Sequence, residues 1–221
     1  MFKMTAGAGE MDEELRKKSC TDFAELLAST APAPGGGGAA ALMGALAASL
    51  GSMAAALTAG RKKYDDRREE MLSAVEQAAD QRRMLLELID RDAEGFRPLA
   101  AAYSLPKDSP HYAEIMRRAT LQACQAPWEM LRTCQKTAEL LETLAEKVSP
   151  LLLSDVGCGA AACRAAMEAA AMNVFVNTRT LKGDGEAAKL HRETQALLRT
   201  YSPRLQAVSE AVTARLCDTI L

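Results

Sequence analysis

The stretch Ala33-Pro34-Gly35-Gly36-Gly37-Gly38-Ala39-Ala40 joins a proline and four glycines to a helix of alanine, serine, glycine, leucine and methionine. Ordering consecutive glycines costs conformational entropy, so four of them before a helix suggest a function. The N–H groups at such a helix start can bind an anion, and a flexible joint before a core helix is the alternative. No strand pattern precedes the glycines and no Gly-Lys-Ser/Thr follows them, which argues against a nucleotide P-loop.

The segment from Gly38 to Gly60 is predicted to be a buried central helix. No charged residue occurs between Ala31 and Gly60, and Gly44, Ala48 and Ser52 recur every fourth residue. Such a face lets neighbouring helices approach closely. The run is long enough for a membrane span, but its alanine, glycine and serine content and the mean hydropathy of −0.11 for the chain favour a bundle core and no membrane partner.

The composition predicts an intracellular, all-α protein. Aromatic residues make up only 4% of the 221 residues, which disfavours a sandwich or barrel. A net charge of −2 gives no sign of a nucleic-acid partner. Six cysteines without a Cys-x-x-Cys pair and only two histidines indicate free thiols in a reducing compartment and no metal site.

Capping, proline and glycine signals predict an antiparallel bundle of about six helices over residues 21–221, after a poorly ordered lead-in over residues 1–20. Ser109-Pro110 is expected to start the fourth helix and Ser154-Asp155 the fifth. Pro127 is expected to kink or divide the fourth helix, and Gly183-Asp184-Gly185 separates the fifth from the sixth. Long helices with short connections are typical of such bundles.

Asp92 is the polar residue that stands out on an apolar helix face. Leu85, Leu88, Ile89, Phe96 and Leu99 lie three to seven residues from it at helical spacing. A buried carboxyl group is pushed toward its neutral form, which suits a general acid or base near neutral pH. A structural hydrogen bond or ion pair, for example to Arg82 or to a neighbouring helix, is the alternative explanation.

Two further groups are candidates for ligand binding. Asn173 and Asn177 lie one helical turn apart, where their amides can bind a planar heterocycle or hydrogen-bond across the bundle. Arg61-Lys62-Lys63 can hold an acidic ligand or act as a solvated helix end.

These features, taken in order along the chain, resemble the cyclodeaminase/cyclohydrolase family of folate one-carbon enzymes. The likeness runs from about Thr21 to the C-terminus. It rests on six short elements: Pro34-Gly35-Gly36-Gly37 with its small-residue helix, Leu57-Thr58 with Lys62-Lys63-Tyr64, Asp92-Ala93 with Phe96, Leu105-Pro106, Ser154-Asp155-Val156-Gly157, and Asn173-Val174 with Asn177.

The resemblance implies a cytoplasmic, all-helical homodimer that binds a reduced folate, with or without a polyglutamate tail, near the subunit interface. It implies either cyclodeaminase or methenyltetrahydrofolate cyclohydrolase activity, with no cofactor beyond the tetrahydrofolate. Asp92 is then the catalytic base and acid. The implied substrate-binding residues are Pro34, Gly35, Gly36, Gly37, Gly38, Lys62, Lys63, Ser154, Asp155, Asn173 and Asn177.

The chain departs from the family pattern at two places. Gly38 stands where relatives often carry serine, and the apolar run Lys147-Val148-Ser149-Pro150-Leu151-Leu152-Leu153 stands where they often carry asparagine. These changes leave two further possibilities: a different substrate choice, or a folate-binding or oligomerising bundle without catalysis.

Overall fold

The computed structural model describes residues 14–218, and these residues form helices and turns without a strand. The expected lead-in over residues 1–20 therefore falls mostly outside the described range. The six α-helices are α1 (Cys20–Leu27), α2 (Gly36–Ala59), α3 (Arg68–Ala102), α4 (Tyr112–Lys147), α5 (Leu153–Thr178) and α6 (Gly185–Cys217). Short 3-10 turns lie at Leu15–Lys17, Lys62–Arg67 and Pro150–Leu152. The predicted all-α bundle is confirmed.

Helix α2 lies at the centre of the bundle, packed against α3 and α5 and more lightly against α4. A side chain at Gly44 would meet the Cys134 sulfur at 3.1 Å and Leu85 at 3.2 Å. At Gly51 it would meet Leu141 at 3.2 Å. The small residues of α2 therefore allow the large buried side chains of α3 and α4 to approach its backbone.

One face of α2 remains exposed, so the expectation of a fully buried helix is wrong for that face. Leu46, Met53 and Leu57 are 54%, 42% and 50% exposed, and they recur at helical spacing. This helix is also long and apolar enough to cross a membrane, although half of its most apolar window is buried inside the bundle. The same length and composition occur in core helices, so this feature alone is weak evidence for a membrane span.

Two local expectations, both about helix caps, are wrong. Helix α4 follows His111 and α5 follows Leu152, and neither helix start has a side-chain cap, so Ser109 and Ser154 do not cap them. In α5 a 3-10 turn over Pro150–Leu152 leads directly into the helix and leaves Ser154 inside the first turn. Pro127 is buried inside α4, which runs unbroken past it, so of the two expected outcomes, a kink or a division, the division does not occur.

Candidate active site

The glycine run forms the start of α2. Gly35 precedes the first helical residue, and no side chain caps the helix. Pro34 is buried beside Gly38, where an added side chain would lie 3.1 Å from the Pro34 Cβ and 3.9 Å from Phe23. The N–H groups of the first turn have no carbonyl partners within the helix, so they remain available to an acceptor from elsewhere.

Asp92 of α3 supplies that acceptor. Its carboxylate accepts a hydrogen bond from the backbone N–H of Gly38. A methyl group at Gly37 would overlap both carboxyl oxygens of Asp92, so only glycine leaves room for this side chain. The alternative partner Arg82 is not used, because the carboxylate turns to the neighbouring helix α2 instead.

The environment of Asp92 favours its neutral form. Burial raises the pKa of the Asp92 carboxyl group from 3.8 to about 6, and the hydrogen bond from Gly38 only partly opposes this rise. The group therefore exchanges a proton close to neutral pH, which is what a general acid or base requires.

The two asparagines of α5 lie at the same end of the bundle. Asn173 donates from Nδ2 to the Ala169 carbonyl at 2.9 Å, and a side chain at Gly36 would lie 3.3 Å from that nitrogen. Asn177 hydrogen-bonds the buried thiol of Cys124 in α4. Burial raises the pKa of that thiol to about 12, so it stays protonated.

We call this region the glycine end, defined by Pro34, Gly35–Gly38, Asp92, Asn173 and Asn177. The sequence predicted each of these residues as a site candidate. What the sequence did not reveal was the direct contact of Asp92 with the glycine turn, since the two are more than fifty residues apart in the chain.

The remaining predicted residues form a second group, which we call the lysine end: Lys62, Lys63, Ser154 and Asp155. Lys62 and Lys63 are exposed in the 3-10 turn after α2, and Ser154 is exposed at the start of α5. The Ser149 N–H donates to the Thr58 hydroxyl at 3.1 Å, which joins the end of α2 to the start of α5. The two groups of predicted residues therefore occupy opposite ends of the bundle.

A single chain does not bring the two groups together. The 24 residues of α2 at 1.5 Å per residue separate them by about 35 Å. Two grooves on the described surface, one between α5 and α6 and one between α3 and α4, are lined by none of the predicted site residues.

The comparisons with known proteins agree with this architecture. Residues 19–196 match the family model described as formiminotransferase-cyclodeaminase. The chain belongs to the formiminotransferase-cyclodeaminase family. It is 34% identical over 197 residues to a methenyltetrahydrofolate cyclohydrolase of Methylorubrum extorquens, covering 87% of this chain and 95% of that protein. It also resembles the crystal structure of formiminotetrahydrofolate cyclodeaminase from Thermotoga maritima, with a TM-score of 0.79 and 27% identity over 90% of this chain and 100% of that one.

Cys124 lies beside the glycine end, next to Asn177, and is the residue there that sequence reasoning missed. It was counted only as one of six scattered thiols, yet it is the partner that holds the Asn177 side chain. Cys124 lies on α4 and Asn177 on α5, and no short-range pattern in the sequence connects them.

Proposed function

We propose that this chain is a folate one-carbon enzyme that acts at the carbon bridging N5 and N10 of tetrahydrofolate. The observation that carries the proposal is the largely buried Asp92 carboxyl group, held against the bare start of α2 with a pKa of about 6. Both reactions named for the relatives require a proton to move at a nitrogen of the folate. One carboxyl group that is easily protonated and deprotonated can serve either reaction.

Hydrolysis of the 5,10-methenyl bridge is the first candidate reaction, because the relative with 34% identity carries that name. Water attacks the bridge carbon and gives up a proton to the Asp92 carboxylate. The resulting tetrahedral carbon then breaks its bond to N5, which takes the proton from Asp92. The carbinol O–H releases its proton as the formyl C=O forms, so the product is 10-formyltetrahydrofolate, and the enzyme would be a hydrolase.

Ring closure with release of ammonia is the second candidate, favoured by the likeness to the Thermotoga structure. Here the formimino nitrogen of 5-formiminotetrahydrofolate starts protonated, as C=NH2+, and N10 attacks the formimino carbon and loses its proton to Asp92. The proton is delivered to the departing nitrogen, which leaves as ammonia, and the 5,10-methenyl bridge remains. The enzyme would then be a lyase.

The other residues of the glycine end would hold the pterin. Asn173 Nδ2 donates to Ala169, while its amide oxygen accepts no hydrogen bond from residues 14–218, and Asn177 hydrogen-bonds Cys124. These amides can pair with the donors and acceptors of the pterin ring. Proton transfer at nitrogen needs no group beyond a carboxyl, so we propose no metal and no cofactor other than the folate itself.

We further propose a homodimer in which the glycine end of one copy meets the lysine end of the other. The exposed apolar side chains of α2, Leu46, Met53 and Leu57, lie between the two ends of that helix. If two copies pack through this face about a two-fold axis near the middle of α2, the helices run antiparallel and opposite ends become neighbours. One folate would then contact both copies. Its bridge carbon would lie beside Asp92 of one copy, and its acidic tail, polyglutamylated or not, would bind Lys62 and Lys63 of the other.

Burial of this stripe in a dimer also favours a protein in solution over a membrane span. The six cysteines are free thiols, which suits a reducing compartment, and we propose the cytoplasm as the location.

The near-ultraviolet absorbance of the methenyl bridge tests the proposed function. The protein is added separately to 5,10-methenyltetrahydrofolate and to 5-formiminotetrahydrofolate, each beside an Asp92→Asn control. Accelerated loss of absorbance in the first supports the cyclohydrolase, and a rise in the second supports the cyclodeaminase. No change in either reaction, with folate binding still measurable, would mean a binding protein without catalysis and would overturn the proposal.

A further inference from the structure

A groove of about 840 Å³ runs between α3 and α4, from Glu70, just after the lysine end of α2, to Met84 and Glu129. Its floor consists of buried side chains from the two helices: Met71, Ala74, Gln81, Thr133, Leu140 and Leu144. The volume is sufficient for a small organic molecule. Nothing in the proposed folate chemistry uses this groove.

Gln81 is an unusual residue for such a floor. Its side chain is only 7% exposed, and its Oε1 atom is buried without a hydrogen-bond partner. A buried acceptor without a donor is unfavourable, and most buried polar atoms in native proteins are paired. Gln81 lines the groove, so a turn of its amide toward the groove would present this oxygen to an N–H group of a ligand.

Two cations on one wall of the groove also have no partner among residues 14–218. Arg132 and Lys136 lie one turn apart on α4, and neither makes an ion pair or a side-chain hydrogen bond with the described residues. The carboxylates around them are already engaged. Glu70 pairs with Lys147, Asp80 with Arg83, Glu129 with Arg91, and Glu139 accepts from Tyr201.

The register of the two helices places these groups within reach of one molecule. The ion pairs Lys147–Glu70 and Arg91–Glu129 set α3 and α4 antiparallel, with Gln81 level with about residue 138 of α4. At 1.5 Å per residue, Lys136 is about 3 Å along the axis from that level and Arg132 about 9 Å. A ligand about 10 Å long can therefore contact Gln81 and both cations at once.

We propose that this groove binds a flat organic anion, whose N–H donates to Gln81 Oε1 and whose phosphate or carboxylate pairs with Arg132 and Lys136. The apolar side chains of Met71 and Leu140 would pack against the flat part of the molecule. The cations supply the charge attraction and the buried amide selects a molecule that carries a donor. This site is independent of the proposed folate reaction.

Isothermal titration calorimetry with two probes tests the site and identifies the anion. AMP carries an N–H donor and a phosphate, and indole-3-acetate carries an N–H donor and a carboxylate. Adenosine and indole are the matched probes without the anion. We expect AMP, indole-3-acetate or both to bind, and the corresponding neutral probe to bind at least tenfold more weakly. Binding by AMP alone would identify phosphate as the preferred group, and binding by indole-3-acetate alone would identify carboxylate.

Two variants test whether the probe binds in this groove: the double variant Arg132→Gln with Lys136→Gln, and the single variant Gln81→Met. Each is expected to weaken binding of the effective probe at least tenfold, whereas Arg118→Gln, which removes an exposed charge of α4 outside the groove, leaves it unchanged. Gln81→Met fills a similar volume and should not lower the melting temperature, since it removes an unpaired polar atom. The proposal is overturned if neither anion binds with a Kd below about 1 mM, or if either groove variant binds as wild type does.

Discussion

The two ends of α2 differ in almost every physical respect. At the glycine end the backbone is bare, the neighbouring carboxyl of Asp92 is largely buried, and a single added methyl group would overlap it. At the lysine end, Lys62 and Lys63 are exposed and no described contact restricts their charges except the Tyr64 ring beside Lys63. The first end is suited to moving a proton, and the second is suited to attracting an anion from water.

In the proposed dimer, each folate site takes one end from each copy, because the two ends of one α2 lie far apart. About 35 Å of helix separates the two ends, which is too far for one folate bridge and its first contacts. A second copy would place its lysine end beside the glycine end of the first. Asp92→Asn and Gly37→Ala alter the glycine end, whereas Lys62→Gln with Lys63→Gln alters the lysine end.

The largest expected effect follows Asp92→Asn at the glycine end. The amide cannot accept or return a proton, so we expect turnover to fall at least about 100-fold. The fold should survive, because the substitution removes a charge whose burial is unfavourable. The rise of the Asp92 pKa from 3.8 to about 6 corresponds to a cost of up to roughly 3 kcal/mol for that charge. Turnover of the methenyl bridge and the melting temperature at pH 7 measure the two effects. Normal turnover in a folded variant would refute the catalytic role.

Gly37→Ala should displace the same carboxyl group without changing its chemistry. We expect turnover to fall at least about tenfold, since a misplaced catalytic group loses its alignment. Gly95→Ala in α3 is the matched control, because its added methyl meets only the Gln122 carbonyl at 3.5 Å. The control should keep its activity and gain about 0.5–1 kcal/mol of helix stability. Equal loss of activity in both variants would contradict the close packing of Gly37 against Asp92.

The raised pKa of Asp92 should make both the turnover and the stability of the protein depend on pH. For the cyclohydrolase step, the value of kcat/KM is expected to fall about tenfold per pH unit below about pH 6, as the base becomes protonated. The native state holds this proton more tightly than the unfolded chain. The stability contributed by Asp92 is therefore greatest below about pH 4 and declines as the pH rises through about 6. Denaturant unfolding of wild type and Asp92→Asn across this range measures it, and parallel curves would contradict the shift.

The smallest effect is expected at the lysine end. Lys62→Gln with Lys63→Gln should raise KM several-fold for a folate with an acidic tail and leave kcat nearly unchanged, because these residues would bind and not react. The effect should shrink at high salt, which screens exposed charges. A large fall in kcat with unchanged KM would place these lysines in a different role.

The sequence predicted the family, the all-helical fold and both groups of site candidates, because glycines, prolines and helical periodicity are local signals. It could not show that Asp92 meets Gly37, since that contact depends on how α2 and α3 pack. It also predicted, wrongly, that α2 is buried on every side. An apolar sequence such as that of α2 looks the same whether all of its faces are covered or one of them is exposed. Ser109 and Ser154 had the residue types of helix caps, but the turns before α4 and α5 place other residues at the helix starts.

We propose that each site combines the glycine end of one copy with the lysine end of another, and mixing subunits of two inactive variants tests this arrangement. The Asp92→Asn variant and a Lys62→Glu, Lys63→Glu variant are each expected to lose most of their activity on an acidic-tailed folate. When equal amounts are unfolded and refolded together, half of the dimers are mixed, and each mixed dimer holds one intact site. We expect recovery of about one quarter of the wild-type activity. Activity no greater than the average of the two separate variants would contradict it.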